Sequence, residues 1–224
     1  MQITKVKSFE DAELARFKGI LDKKKGSLFL KRCFDILCSL ILLVLLSPFM
    51  LIISVMIALD SKGGVFFLQE RVTTNGKLFK IIKFRTMVKD ADKKGSLVTV
   101  GNDMRITRMG KLLRKLRLDE FPQLINVLKG EMSFVGTRPE VLKYVEQYEN
   151  DMFATLLMPA GITSTASIMY KDEDEILKDA EDVDKAYIEK VLPEKMKYNI
   201  SYIENFSFLG DLKIMIMTAL AVIK

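Results

Sequence analysis

The longest apolar pattern in the chain runs from Ile36 to Leu59, ILCSLILLVLLSPFMLIISVMIAL, 24 residues without a charge. As one straight helix it would be about 36 Å long, enough to cross a hydrocarbon core of roughly 30 Å, so the block belongs in a membrane. It starts too late and is too long for a cleaved signal peptide. Lys23, Lys24, Lys25, Lys31 and Arg32 precede it, and Lys62, Arg71, Lys77, Lys80, Lys83 and Arg85 follow it. A crossing helix should show a Lys/Arg asymmetry, whereas here both flanks look cytoplasmic. Pro48, at the midpoint, removes a backbone hydrogen bond, and the Ser47 hydroxyl is placed to satisfy the freed carbonyl. These features predict a re-entrant hairpin broken at Ser47-Pro48 that enters and leaves on one face; a kinked spanning helix is the alternative.

Elsewhere the pattern changes period. Leu14, Phe17 and Leu21 recur at helical spacing in a charged N-terminal segment, which predicts an amphipathic helix at the membrane surface or a plain surface helix. VFFLQERV and KLFKIIKFRTM read as strands joined by a Thr74-Asn75-Gly76-Lys77 turn, a β-hairpin at the membrane exit. Residues 88 to 103 are loop-like. From Ile106 the pattern is helical: RITRMGKLLRKLRL, FPQLINVLKG, PEVLKYVEQYENDMFATLL and EDEILKDAEDVDKAYIEKVL. The closing run Ile214 to Ile223 is too short to span and is either core or an interfacial helix. The predicted fold is α/β: a helix-break-helix hairpin, and a small, mainly helical module with a β-hairpin and interfacial amphipathic helices. Three parts follow: an N-terminal amphipathic extension (1–30), the membrane hairpin (31–60), and a membrane-associated cytosolic catalytic domain (61–224).

Composition narrows the chemistry. The chain has no histidine and no tryptophan, which excludes Ser-His-Asp and Cys-His catalysis and histidine-ligated zinc or haem. Carboxylates, Lys/Arg, hydroxyls or an oxygen-bound metal remain. Cys33 and Cys38 are too few for a disulfide scaffold and read as buried thiols. The net charge of +6 gathers around the apolar block, which favours anionic lipid headgroups as partners over nucleic acid. There is no P-loop and no G-x-G-x-x-G motif.

The informative segment is LRKLRLDEFPQLINVLKGEMSFVGTRPE, Leu113 to Glu140. Pro122 is tolerated only in a first turn, which predicts a helix from near Asp119 to Leu128, stopped by Gly130. Asp119 and Glu120 would then lie at a helix N-terminus, with Arg114 and Arg117 upstream and Arg138 in a following turn. Two carboxylates among arginines suit a phosphate ester bridged by Mg²⁺, one carboxylate holding metal and the other attacking phosphorus. A capping aspartate beside a solvated basic face is the alternative. Lys83-Phe84-Arg85-Thr86-Met87 is either a phosphate grip or a basic rim. The run Asp172-Glu173-Asp174-Glu175 is a solvated helix start or a contact to a substrate hydroxyl or amide.

These motifs resemble the bacterial sugar transferases of the monotopic phosphoglycosyl transferase family. The likeness runs from about Lys31 to Lys224 through KRCFD, Ser47-Pro48, KFRTM, LRLDEFPQL, NVLKGEMSFVGTRP, the GIT turn at Gly161 and FSFLGDLKIMIMTA. It implies a re-entrant hairpin in the cytoplasmic leaflet of the bacterial inner membrane and a ping-pong reaction. Asp119 would attack the β-phosphorus of a UDP-sugar and expel UMP, and undecaprenyl phosphate would then take the phosphosugar, initiating glycan assembly. Glu120, with Asp119, would bind Mg²⁺; Arg138 and Pro139 would adjoin the nucleotide, and Arg114, Lys83 and Arg85 would support the anionic groups. Downstream glycosyltransferases are possible partners. One departure stands out: many members read GITGWAQVNGR where this chain reads GITSTASIMYKDEDEIL. Thr163, Ser164, Thr165 and the acidic run are therefore expected to shape the sugar site. A non-catalytic membrane scaffold for glycosyltransferases and a Mg²⁺-dependent prenyl-phosphate phosphatase are the competing readings.

Overall fold

The computed structural model describes residues 12–91, 103–178 and 180–223. Helix α1, Ala12–Asp22, leads into α2, Lys25–Asp60, a single helix of 36 residues that carries the whole apolar block. The chain then forms an antiparallel hairpin of β1, Phe66–Val72, and β2, Leu78–Phe84, pairing Phe66 with Phe84 and Val72 with Leu78. Its turn is the predicted Thr74–Gly76 segment, where Asn75 and Gly76 take positive φ of 56° and 69°. Next come α3, Arg108–Lys115, α4, Gln123–Lys129, and β3, Met132–Val135, which pairs in parallel with β4, Ala160–Thr163. Between these two strands lie α5, Leu142–Val145, and a 3₁₀ stretch, Asn150–Leu157. After β4 follow α6, Thr165–Met169, α7, Glu173–Leu177, α8, Val183–Ala186, a π-helical turn, Tyr187–Val191, α9, Leu192–Glu204, and α10, Phe208–Ile223.

Mixed helix and strand with one long apolar helix agrees with the expected class, but three expectations change. The helix is continuous in hydrogen-bonded form through Pro48 rather than divided into two helices. Pro48 has no N–H to offer Val44, and the Ser47 hydroxyl donates to the Val44 carbonyl at 2.8 Å, the local repair that the Ser-Pro pair foretells. The stripe Leu14, Phe17 and Leu21 faces neither lipid nor water. It is buried in a core with Tyr148, Phe153, Ile203 and Phe206, because the 3₁₀ stretch and α9 close over α1. The long helical run from Pro139 to Leu157 breaks up: Asn150 adopts φ 45°, a left-handed conformation that no helix can pass through.

Most of α2 has no protein partner. Leu37, Leu40, Ile41, Val44, Leu45, Phe49, Leu51, Ile52 and Leu59 are exposed. Each such side chain gains roughly 1.5–3 kcal/mol on leaving water, so this surface requires an apolar solvent.

The remaining stripe is held at both ends by the same module. At the start of α2, Lys31 Nζ donates to Asp211 Oδ2 at 2.6 Å and to the Val135 carbonyl at 2.7 Å. Arg32 donates to the Val127 and Leu128 carbonyls at the C-terminal end of α4, and Asp35 accepts from Phe134 N and Ser133 Oγ on β3. The charged residues of KRCFD are thus docking groups. At the other end, Ile53 and Ile57 pack on Phe84 and Leu113, and Asp60 accepts from Met109 N in the first turn of α3. Asn126 joins the layers by accepting from Ile82 N and donating to the Lys80 carbonyl, satisfying an edge of β2.

Lys31→Met leaves Asp211 buried without its cation and is expected to lower unfolding free energy by about 3–5 kcal/mol. The double change Lys31→Met/Asp211→Leu should recover most of that loss. Denaturant unfolding in detergent micelles measures both, and equal losses in the single and double variants would show that the two charges are not coupled.

Candidate active site

Asp119 and Glu120 stand on a 3₁₀ turn, Leu118–Glu120, entered through Arg117 in the left-handed region at φ 56°. A long side chain seldom adopts that backbone, and such strain persists only where the surroundings enforce it. The helix expected to begin near Asp119 begins at Gln123 instead, and Gly130, at φ 84°, closes it as anticipated. The acid pair therefore precedes α4 by a turn, and the side chains around it set its electrostatics.

Both carboxylates are buried. Glu120 Oε1 accepts from Lys83 Nζ at 2.9 Å and from Arg138 Nη2 at 2.5 Å. Burial alone would raise the Glu120 pKa, but the charges and hydrogen bonds of Arg138 and Lys83 outweigh it and hold this carboxylate well below the usual range. Asp119 moves the opposite way: burial raises its carboxyl, Lys83, Arg114 and Arg138 offset part of the rise, and the Glu120 charge adds to it. Asp119 Oδ1 is buried and has no hydrogen-bond partner among the described residues. Adjacent carboxylates thus have opposite environments, one held low and fixed by two cations, the other raised by burial with an unpaired oxygen.

The surrounding chain explains how the cations arrive. Lys83 projects from β2. Arg138 follows β3 in a turn that needs close backbone approach, since a Cβ on Gly161 would lie 2.2 Å from Gly136 N. Arg114 is carried by α3, whose Gly110 lets the helix touch β2's continuation; a Cβ there would lie 2.0 Å from the Thr86 carbonyl. Arg114 Nε donates to Thr86 Oγ1 at 2.9 Å, and its charge acts on Asp119. Arg85 goes elsewhere. Its guanidinium donates to the Lys62 and Ser61 carbonyls, sealing the end of α2, so the structure does not bring it to the acid pair. The Pro139 carbonyl accepts from Arg71 at 3.0 Å, which fixes the segment behind Arg138.

Glu120 and Arg138 line a cavity of about 480 Å³. Its lining combines apolar residues, Leu42 and Leu46 of the apolar helix with Phe134, Ile162 and Ala221, and polar ones, among them Thr163, Asp172, Glu173 and Lys195. Of the residues expected to shape a sugar site, Ser164 is instead buried as the cap of α6, accepting from Ser167 N at 2.9 Å. The sequence reading missed Gln123 and Thr137, whose buried side-chain polar atoms lack partners among the described residues, and it missed Lys195. Nothing in the spacing marks these residues, because only chain packing puts Lys195 beside a segment 75 positions away.

The donor set fits a cation of a particular kind. Among the described residues no group of three or more metal-ligating side chains occurs, yet Asp119 Oδ1 is an unpaired buried oxygen and Glu120 Oε2 makes no hydrogen bond there. Mg²⁺ commonly takes one or two carboxylates and completes its shell with water and substrate phosphates, so the pair suits a metal shared with a phosphate ligand.

The chain is 39% identical over 194 residues to a UDP-N-acetylgalactosamine-undecaprenyl-phosphate N-acetylgalactosaminephosphotransferase of Aeromonas hydrophila, a match covering 85% of this chain and 43% of that protein. It is 36% identical to a UDP-glucose:undecaprenyl-phosphate glucose-1-phosphate transferase of Klebsiella pneumoniae, over 84% of this chain and 39% of the relative. The exopolysaccharide production protein ExoY of Rhizobium meliloti is 33% identical over 86% of this chain and 84% of its own length. The chain thus spans about two fifths of the length of the first two relatives. The bacterial sugar transferase pattern matches residues 26–224, nearly the whole sequence and every group that surrounds the acid pair, and the chain belongs to that family.

Proposed function

We propose that this chain is a polyprenyl-phosphate phosphoglycosyl transferase: it moves a sugar-1-phosphate from a UDP-sugar to undecaprenyl phosphate and releases UMP. The observation that carries the reading is the contrast within the acid pair, an unpartnered Asp119 oxygen beside a Glu120 clamped by Lys83 and Arg138. An Asp119 carboxylate oxygen forms a bond to the β-phosphorus, the bond from that phosphorus to the bridging oxygen breaks, and UMP leaves with the electron pair. An oxygen of undecaprenyl phosphate then bonds to the same phosphorus and the aspartate carboxylate departs, so no proton need be stored and no histidine is required. Arg138, Lys83 and Arg114 neutralise the phosphate charge that develops. Glu120 and Asp119 would hold Mg²⁺, which supplies further charge neutralisation on the phosphate oxygens.

The lipid acceptor suits the same cavity, because Leu42 and Leu46 bring the membrane helix into its wall. A re-entrant path through the cytoplasmic leaflet of the inner membrane is supported by the docking of both ends of α2 on one charged module: Lys31 and Arg32 at one end, Asp60 at the other. A helix crossing the bilayer would put those ends on opposite sides. Anionic lipid headgroups are the partners of the basic flanks, and enzymes that extend the glycan are the expected consumers of the product.

Asp119→Asn is expected to reduce UMP release from UDP-sugar in the presence of undecaprenyl phosphate by at least about 10³-fold. Since burial raises the Asp119 pKa, its charged form destabilises the native state above that pKa, and the same variant should unfold at a higher temperature at pH 7. Release of inorganic phosphate would identify a phosphatase, and no release of any product a scaffold.

The pH dependence follows from the same displacement. The nucleophile must be ionised, so kcat/KM should fall with acid through a limb above the ordinary aspartate value of about 3.9. Glu120, held low, should add no limb near neutrality; a profile flat down to pH 4 would remove Asp119 from the nucleophile's role.

Single cysteines introduced at Gly26 and Lys62 in a variant without Cys33 and Cys38 should both label from the cytoplasmic face of inverted membrane vesicles. Labelling from opposite faces would establish a spanning helix.

A further inference from the structure

The cavity holds one charged pair that the phosphoryl chemistry leaves unused. Lys195, on α9, is 4% exposed, and its Nζ donates to Glu173 Oε2 at 2.8 Å and to the Tyr187 hydroxyl at 3.2 Å. Burying an ammonium carries a desolvation penalty that an ordinary tie between two helices would avoid by staying at the surface. Here the chain adds supports to keep it in place. The π-helical turn Tyr187–Val191 sets the Tyr187 ring under Lys195, 5.2 Å from the ammonium to the ring centroid. Such turns inside helices concentrate at functional sites. The Tyr187 hydroxyl donates to Glu140 Oε1 at 2.6 Å, and Arg71 lies 3.8 Å from the other Glu140 oxygen while also holding the Pro139 carbonyl. The relay Arg71, Glu140, Tyr187, Lys195 and Glu173 thus starts beside Arg138 and ends on the cavity wall.

The pair is incompletely used within the protein. A lysine ammonium has three donors, of which Glu173 and Tyr187 take two. Glu173 Oε1 makes no hydrogen bond among the described residues, and the Glu173 side chain is 31% exposed. One N–H and one carboxylate oxygen therefore remain on a pair that lines the same cavity as Arg138 and Glu120, with the Glu173 charge acting on Arg138. A neutral group that both donates and accepts, a hydroxyl or an acetamido group, matches them.

We infer that Glu173 and Lys195 read a polar substituent of the sugar ring and set which UDP-sugar is accepted. This rests on the transferase reading above. The sugar is bonded to the phosphorus under attack, so it must occupy the cavity next to Arg138 and Glu120. Of the segment expected to shape the sugar site, Thr163, Ser164, Thr165 and the acidic run, Glu173 is the member that meets Lys195, while Ser164 is consumed in capping α6.

The experiment measures UMP release by wild type and by Glu173→Gln against UDP-glucose, UDP-galactose, UDP-GlcNAc and UDP-GalNAc, together with inhibition by UMP. Glu173→Gln keeps the shape of a partly exposed side chain, and Lys195→Arg keeps the positive charge at the other member of the pair. Hydrogen bonds to charged groups are worth about 1.5–3 kcal/mol, so the preferred sugar should lose roughly 10- to 150-fold in kcat/KM, with a changed ranking across the panel. Inhibition by UMP should be unaltered, and Lys195→Arg should retain the wild-type ranking. An unchanged ranking in Glu173→Gln overturns the inference and makes the pair a structural tie. A parallel loss of UMP affinity also overturns it and assigns the pair to the uridine. Absence of UMP release by wild type from every UDP-sugar would instead overturn the transferase reading itself.

Discussion

A buried polar clamp joins the apolar helix to the rest of the molecule. Lys31 and Asp35 lie one helical turn apart, and both reach β3, one through the Val135 carbonyl and the other through Ser133 and Phe134. Asp211 completes it from α10, with Tyr202 donating to its second oxygen at 2.8 Å. Val135 is three residues before Arg138, so the same contacts that fix the helix fix the strand from which the arginine departs. Charges in this position are costly unless every one is satisfied, which makes the geometry nearly all-or-none.

From that strand the site is assembled by convergence. Lys83 and Arg138 meet on Glu120, and this leaves the neighbouring Asp119 as the carboxylate without a fixed partner. Two identical functional groups thereby acquire different electrostatic environments from their surroundings alone. The apolar helix contributes to the cavity that Glu120 and Arg138 line, so apolar residues of α2 and charged groups share one lining.

Local signals were legible where the cause is local. The Asn75-Gly76 turn, the stop at Gly130 and the Ser47 repair of the Val44 carbonyl each depend on a few adjacent residues, and each appears as read. Signals failed where tertiary contacts choose. Met132–Val135 is too short for its pattern to mark a strand, and its identity as one depends on pairing with Ala160–Thr163. Leu14, Phe17 and Leu21 show the right period, but the partner that buries them lies nearly two hundred residues away in α9 and the segment after it. Arg85 sits in the same basic motif as Lys83, yet it lies past the end of β2, where the Ser61 and Lys62 carbonyls at the nearby end of α2 take its guanidinium.

The sequence by itself determined the chemistry available, since a chain without histidine, with an Asp-Glu pair among arginines and a charge-free block of 24 residues, has few catalytic or solvent options. It also determined family membership through contiguous motifs. Tertiary structure decided which carboxylate is free, which arginine serves the site and which lysine enters the cavity. Those outcomes depend on burial and on partners far apart in the chain, and neither is a property of any short stretch of residues.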